Sequence, residues 1–166
     1  MNEEIFDIVN DQDQVIGRMP RSQVHAQGHK HRAVHVLVFN AAGRLFLQKR
    51  SMRKDTFPGV WDSSASGHLD SGEEYDACAV REVREEIGLI LSAPPRRLFK
   101  VDACHATGQE FAWVYRLESE GPFTLHPEEI ECGDWFTPAR ITDWIAQSPQ
   151  DFAGAFVLIW KKFCAI

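Results

Sequence analysis

Three glutamates, Glu82, Glu85 and Glu86, stand at positions i, i+3 and i+4. In a helix that spacing places them on one side, with Cβ atoms roughly 5–6 Å apart. Like charges held so close repel, so an isolated helix gains nothing from them. The sequence around them reads as a helix. Ser71 followed by Glu74 has the form of a capping box, and Gly88 is a natural stop after Ile87. Val80, Val83 and Ile87 mark the apolar face. The three carboxylates are therefore expected to point together away from the core. Hard oxygen ligands grouped this way suit Mg²⁺, with Mn²⁺ the alternative ion, and Mg²⁺ commonly shares its shell with substrate phosphates. A solvated acidic face has the same composition, and these residues alone do not separate the two readings.

The surrounding pattern does separate them. Gly67, five residues, Glu73, seven residues, then Arg81-Glu82-Val83-Arg84-Glu85-Glu86-Ile87-Gly88-Leu89 resembles the complete signature of the Nudix hydrolases. Its fixed identities would coincide by chance on the order of once per billion starting points. The resemblance implies that Glu82, Glu85 and Glu86 bind the catalytic metals with the backbone carbonyl of Ser66. It also implies that Glu73 and Arg81 pair to hold loop and helix in register, which makes Glu85, Glu82, Arg81 and Glu73 the expected catalytic set. The implied chemistry is attack of an activated water on one phosphorus of a diphosphate, with a carboxylate taking the proton. Glu85, Glu86 or a glutamate of the loop His126-Pro127-Glu128-Glu129-Ile130-Glu131 can fill that last role, and the sequence does not choose.

Other stretches narrow the branch. DIVNDQDQVIGR, VFNAAGRLFLQKR, FPGVWDSSASGH and DWFTP resemble isopentenyl-diphosphate isomerase and the Nudix hydrolases near it. In such isomerases a separate metal is held by histidines and glutamates, and His25, His31, His68 and Glu110 fall at or near matching positions. A solvated or hydrogen-bonded role for these histidines is the plainer alternative, and His35, inside a strand, reads as locally bonded. One departure favours hydrolysis. The isomerase carries a cysteine before its Gly-His pair, and here that position is Ser66, whose hydroxyl is a far weaker acid. The expected substrate is a nucleoside diphosphate derivative. Allylic isomerisation of a prenyl diphosphate is the second reading. A non-catalytic nucleotide-binding module is the third, and the intact glutamates speak against it.

These residues need a scaffold, and the patterning supplies one. Residues 5–9 and 14–19 read as a hairpin, and 33–40 with 44–49 as a stronger one. Residues 51–62 read as loop. Strand patterns recur at 97–103, 110–117 and 134–136, and helical ones at 139–147 and 151–164. Trp61, Trp113 and Trp135 read as core rather than as base-stacking platforms. The expected fold class is α+β: a Nudix-type α/β/α sandwich with a mixed β-sheet, preceded by an N-terminal β-hairpin extension. The chain, 1–166, reads as one domain, with 1–30 as the extension and 67–89 as the signature.

Composition sets the outer limits. With 166 residues, 44% hydrophobic and 25% charged, the chain has enough apolar content for a core. A net charge of −6 argues against a nucleic-acid surface. No apolar run approaches the ~18 residues of a membrane span, and the acidic start MNEEIFDIVN lacks the order of a signal peptide. A cytoplasmic setting is therefore expected, with Cys78, Cys104, Cys132 and Cys164 as free thiols, mostly buried. The expected partners are a small molecule, neither nucleic acid nor membrane, and a second copy in a homodimer if the N-terminal hairpin extends a partner's sheet.

Overall fold

The computed structural model describes residues 2–166. An N-terminal hairpin, β1 (Ile5–Val9) and β2 (Val15–Pro20), forms its own two-stranded sheet. A short helix α1 (Arg21–Gln27) follows. The main sheet is built on β3 (His31–Phe39) and β4 (Leu45–Arg50), joined by the Ala41-Ala42-Gly43 turn. Gly43 closes that turn with φ +75°, a conformation that costs glycine little. The hairpin opens at once. Beyond Val38↔Phe46, β3 pairs with β6 (Ala65–His68) and runs parallel to β8 (Glu110–Glu118), while β4 pairs with β5 (Trp61–Asp62) and β9 (Ile130–Phe136). The strand β7 (Arg96–Val101) closes the far edge against β8.

A strand with neighbours on both edges and cover on both faces must be apolar throughout, and β3 is nearly so. Alternation then divides its side chains. Val34, Val36 and Val38 pack beneath α2 (Tyr75–Ile87) with Cys78, Ala79, Val83 and Ile87. Leu37 and Phe39 pack on the other face against α3 (Pro138–Gln147) and α4 (Gly154–Ala165), through Ile141, Phe156, Ile159 and Trp160. The result is the expected α/β/α arrangement around a mixed sheet, preceded by a hairpin. No helix among the described residues is long and apolar enough to cross a membrane.

Several expectations need correction. α2 begins at Tyr75, and Ser71 does not cap it. Ser71 Oγ instead donates to Asp7 Oδ1 at 2.7 Å, and Gly72 N–H to Asp7 Oδ2 at 2.9 Å, tying the signature loop to β1. The polar stretch after β2 holds α1, whose one buried residue is Val24. The loop read at 51–62 ends in β5, and β9 starts at Ile130, earlier than expected. Only Cys78 among the cysteines is buried; Cys104, Cys132 and Cys164 are exposed. Trp61, Trp113 and Trp135 pack against the core as expected.

Candidate active site

The carboxylate face of α2 does not turn away from the protein. Glu82 and Glu86 lie on its buried side with Cys78, Ala79 and Val83, Val80 is half-buried, and Glu85 alone of the three glutamates is exposed. The reason is β6, which crosses α2 at close range. Gly67, opposite Val34 in the ladder, has no side chain to intrude. A Cβ there would sit 2.1 Å from the Glu82 carboxyl carbon. The neighbouring Ser66 N–H donates to Glu86 Oε1 at 2.7 Å, and the buried Gln48 of β4 adds its Nε2–H at 3.2 Å.

Arg81 organises the other side. Its Nε and Nη2 donate to the two Glu73 oxygens, each at 2.8 Å, in a bidentate pair. Nη2 also reaches the His68 carbonyl at 3.0 Å, and Nη1 reaches Glu82 Oε1 at 2.9 Å and Glu85 Oε2 at 3.1 Å. Burial pushes the Glu73 carboxyl up, but Arg81 and the Asp70 amide outweigh it and hold the group below the usual range. Glu82 and Glu86 go the other way. Burial raises both, and the charge of Glu86 raises Glu82 further against the opposing pull of Arg81. Two crowded, buried carboxylates with little positive charge between them make a receptive donor set for a hard divalent cation.

The glutamates share a cavity with Ser66, Gly67, Arg81, Lys54, Arg21, His126 and Glu129. Lys54 forms an ion pair with Glu129, and its positive charge overcomes burial to lower that carboxyl. Of the glutamates in the 126–131 loop, Glu129 alone lines this cavity; Glu128 is exposed, and Glu131 lies 3.7 Å from Lys49. Arg21, Gln48, Lys54 and His126 were not singled out by sequence. Gln48 alone left a trace, as a polar residue closing the apolar run Leu45–Leu47.

Next to the glutamates lies a second cluster. The ring nitrogens of His25, His31 and His68 come within 4.8 Å of one another. His68 Nε2 is 2.6 Å from Glu110 Oε1, and His31 Nε2 is 3.5 Å from the same oxygen. His31 Nδ1 is 2.9 Å from the His29 carbonyl, which can only accept, so this nitrogen carries the proton and Nε2 is left bare when the ring is neutral. That Nε2 is buried without a partner. Burial, and then His68 and His31, push His25 down to about 4. Burial pushes Glu110 up, but His68 and His31 hold it well below the usual carboxylate range. The sequence-derived set of His25, His31, His68 and Glu110 is thus together in space. Cys78, by contrast, is buried with its thiol pushed far up, which fits the inert role expected for it.

The NUDIX domain family profile matches residues 29–154. An uncharacterised Nudix hydrolase of Yersinia pestis is 37% identical over 142 residues, covering 84% of this chain and 76% of that protein. An isopentenyl-diphosphate Delta-isomerase of Serratia proteamaculans is 31% identical over 166 residues, covering 98% of this chain and 93% of that one. A crystal structure from Deinococcus radiodurans superposes with a TM-score of 0.86 at 30% identity, covering 96% of this chain and 98% of its own. The family profile covers most of the chain and the Yersinia relative matches 84% of it, and this chain belongs to the Nudix hydrolase family.

Proposed function

We propose that this protein is a Mg²⁺-dependent pyrophosphohydrolase that splits the diphosphate linkage of a nucleoside diphosphate derivative. One observation carries the reading: Glu82 and Glu86 are buried together at a cavity that Glu85 also lines, with their charge only partly offset by Arg81. Glu82, Glu85 and Glu86, with the Ser66 carbonyl, would hold Mg²⁺ or Mn²⁺. Glu85 is bonded to Arg81 but exposed, so it is free to swing toward a cation. A divalent ion held there would offset the charge of the two phosphates and make a water acidic enough to react. The chain's own groups do the rest. Arg21 and Lys54, which line the same cavity, would offer cations to the phosphate oxygens. Glu73 keeps Arg81 in place, and Arg81 keeps Glu82 in place. Glu85, Glu86 or Glu129, all at this cavity, would accept the proton of the attacking water.

The test is conversion of Glu82, Glu85 and Glu86, one at a time, to Gln. Each variant should keep its circular dichroism spectrum, bind Mg²⁺ more weakly by calorimetry, and lose most turnover in a screen of nucleoside diphosphate derivatives. Wild-type turnover in all three would defeat the assignment.

The histidine cluster favours a second reading, isomerisation of a prenyl diphosphate. The bare, buried Nε2 of His31 fits an N/O-ligated Zn²⁺ or Mn²⁺ held by His25, His31, His68 and Glu110. Against it stands Ser66, since no thiol is present to hand a proton to carbon. Deuterium appearing in dimethylallyl diphosphate at an enzymatic rate would decide for this reading.

A further inference from the structure

A cavity of about 280 Å³ opens beside the glutamates and shares Arg21, Lys54, Ser66, Gly67 and His68 with their site. A substrate with its diphosphate at that shared rim would extend one of its substituents into this space. The floor comes from β3. On the strand face where Leu37 and Phe39 pack under α3 and α4, Ala33 and His35 come next and line the cavity instead. His35 is the one polar side chain in the run Ala33–Phe39, and burying an imidazole needs a compensating partner. Its Nδ1 has one, the Ser63 hydroxyl at 2.8 Å. Its Nε2 takes no hydrogen bond from the described residues, and unlike His31 Nε2 it is not among the sealed, partnerless atoms. It therefore meets the open space of the cavity.

Resting on the hydrolase reading, we propose that this cavity receives a hydroxyl-bearing group of the substrate, the sugar beside the diphosphate, and that His35 Nε2 is the atom that selects it. The chemistry of the pair points to a hydroxyl. Ser63 Oγ can donate to Nδ1, which leaves the proton on Nε2, or accept from Nδ1–H, which leaves Nε2 bare. His35 can thus present either a donor or an acceptor without changing charge. A hydroxyl, itself both donor and acceptor, is met by either form. Burial lowers the His35 pKa, against the opposing charge of Asp62 3.8 Å from Nδ1, and so favours the neutral ring. A saturated hydrocarbon chain packed against Nε2 would displace water from it and leave it unpaired, which disfavours such a group.

Two substitutions divide the ring between them. The His35→Asn amide reaches as far as Nδ1, keeps Ser63 satisfied and removes the group facing the cavity. The His35→Gln amide reaches as far as Nε2. The substrates are ADP-ribose, which carries a sugar on both sides of the linkage, and dipentyl diphosphate, which carries none. His35→Asn should raise KM for ADP-ribose about tenfold, the worth of one neutral hydrogen bond. It should leave kcat, and KM for dipentyl diphosphate, near wild type, and His35→Gln should restore ADP-ribose. An unchanged KM in His35→Asn, or an equal rise for both substrates, overturns the proposal. Should the wild type cleave neither compound, ADP-ribose titrated into ¹⁵N-histidine-labelled protein decides this proposal separately from the hydrolase reading. The His35 ring nitrogens shift if the sugar binds there; no shift refutes it.

Discussion

Gly67→Ala tests the site without touching a charged residue. Gly67 lies in an ordinary strand conformation, so alanine brings no backbone strain, only a methyl group. That methyl would sit 2.1 Å from the Glu82 Cδ and Oε1 and 2.6 Å from Oε2, against 3.4 Å for ordinary contact. The Glu82 carboxyl must then retreat by about 1.3 Å. Its 2.9 Å bond from Arg81 does not survive such a movement unchanged. A misplacement near 1 Å at a reacting centre costs about 10²-fold, so kcat should fall about a hundredfold. The fold should lose only the worth of one charge-assisted hydrogen bond, about 1.5–3 kcal/mol. Steady-state kinetics at saturating Mg²⁺, with calorimetric melting, measures both. The double variant with Glu82→Gln completes the argument, because a methyl acting through Glu82 should cost little more once that carboxylate is gone. Additive losses, or near wild-type turnover in Gly67→Ala, would refute the reasoning.

Glu86→Gln should raise the melting temperature of metal-free protein at pH 8 and leave it unchanged at pH 4. Burial raises the folded-state pKa values of both Glu82 and Glu86 above the ordinary 4.5, so stability is greatest below that pH and is lost as pH rises through the raised values; equal melting curves for variant and wild type at pH 8 would contradict this. Arg81→Ala should destabilise the protein by about 2 kcal/mol, because Glu73 and Glu82 lose their shared partner. A chemical-denaturation cycle with Glu73→Ala should give a non-additive total, and simple additivity would remove the pairing. Ser66→Ala should keep most of the turnover, since the Ser66 hydroxyl makes no hydrogen bond among the described residues and its amide, which the variant retains, holds Glu86. A large loss of kcat in that variant would give the hydroxyl a role it is not assigned here.

Much of this was legible because it is local. The central strands announced themselves through apolar runs, and the stop at Gly88 through glycine's tolerance of φ +73°. The Glu73–Arg81 pair followed from the signature alone. What failed was non-local. Ser71 and Glu74 look like a helix cap only until Asp7, 64 residues away in sequence, takes the Ser71 hydroxyl. α1 carries no amphipathic stripe, because one buried valine suffices to dock two turns of helix. Residues such as Arg21, Lys54 and His126 arrive at the site from three different segments and share no spacing that a reader of the chain could detect.

The burial of Glu82 and Glu86 was the most consequential surprise, and the geometry of β6 accounts for it. A helix face with carboxylates at i and i+4 would normally stay in water, where their repulsion is weak. Here Gly67 lets the strand approach until its backbone replaces that water, and only Ser66 N–H and the Gln48 amide donate to Glu86 in exchange. The remaining charge is shared with one guanidinium, Arg81, which is already committed to Glu73. The protein therefore holds its carboxylates in a state of unmet electrostatic demand. Under the proposed function, that demand is what draws a divalent cation to α2, and neutralising Glu82 or Glu86, the two buried carboxylates, should weaken the draw while making the empty protein more stable. Stability without metal and affinity for metal should then move in opposite directions in these two variants.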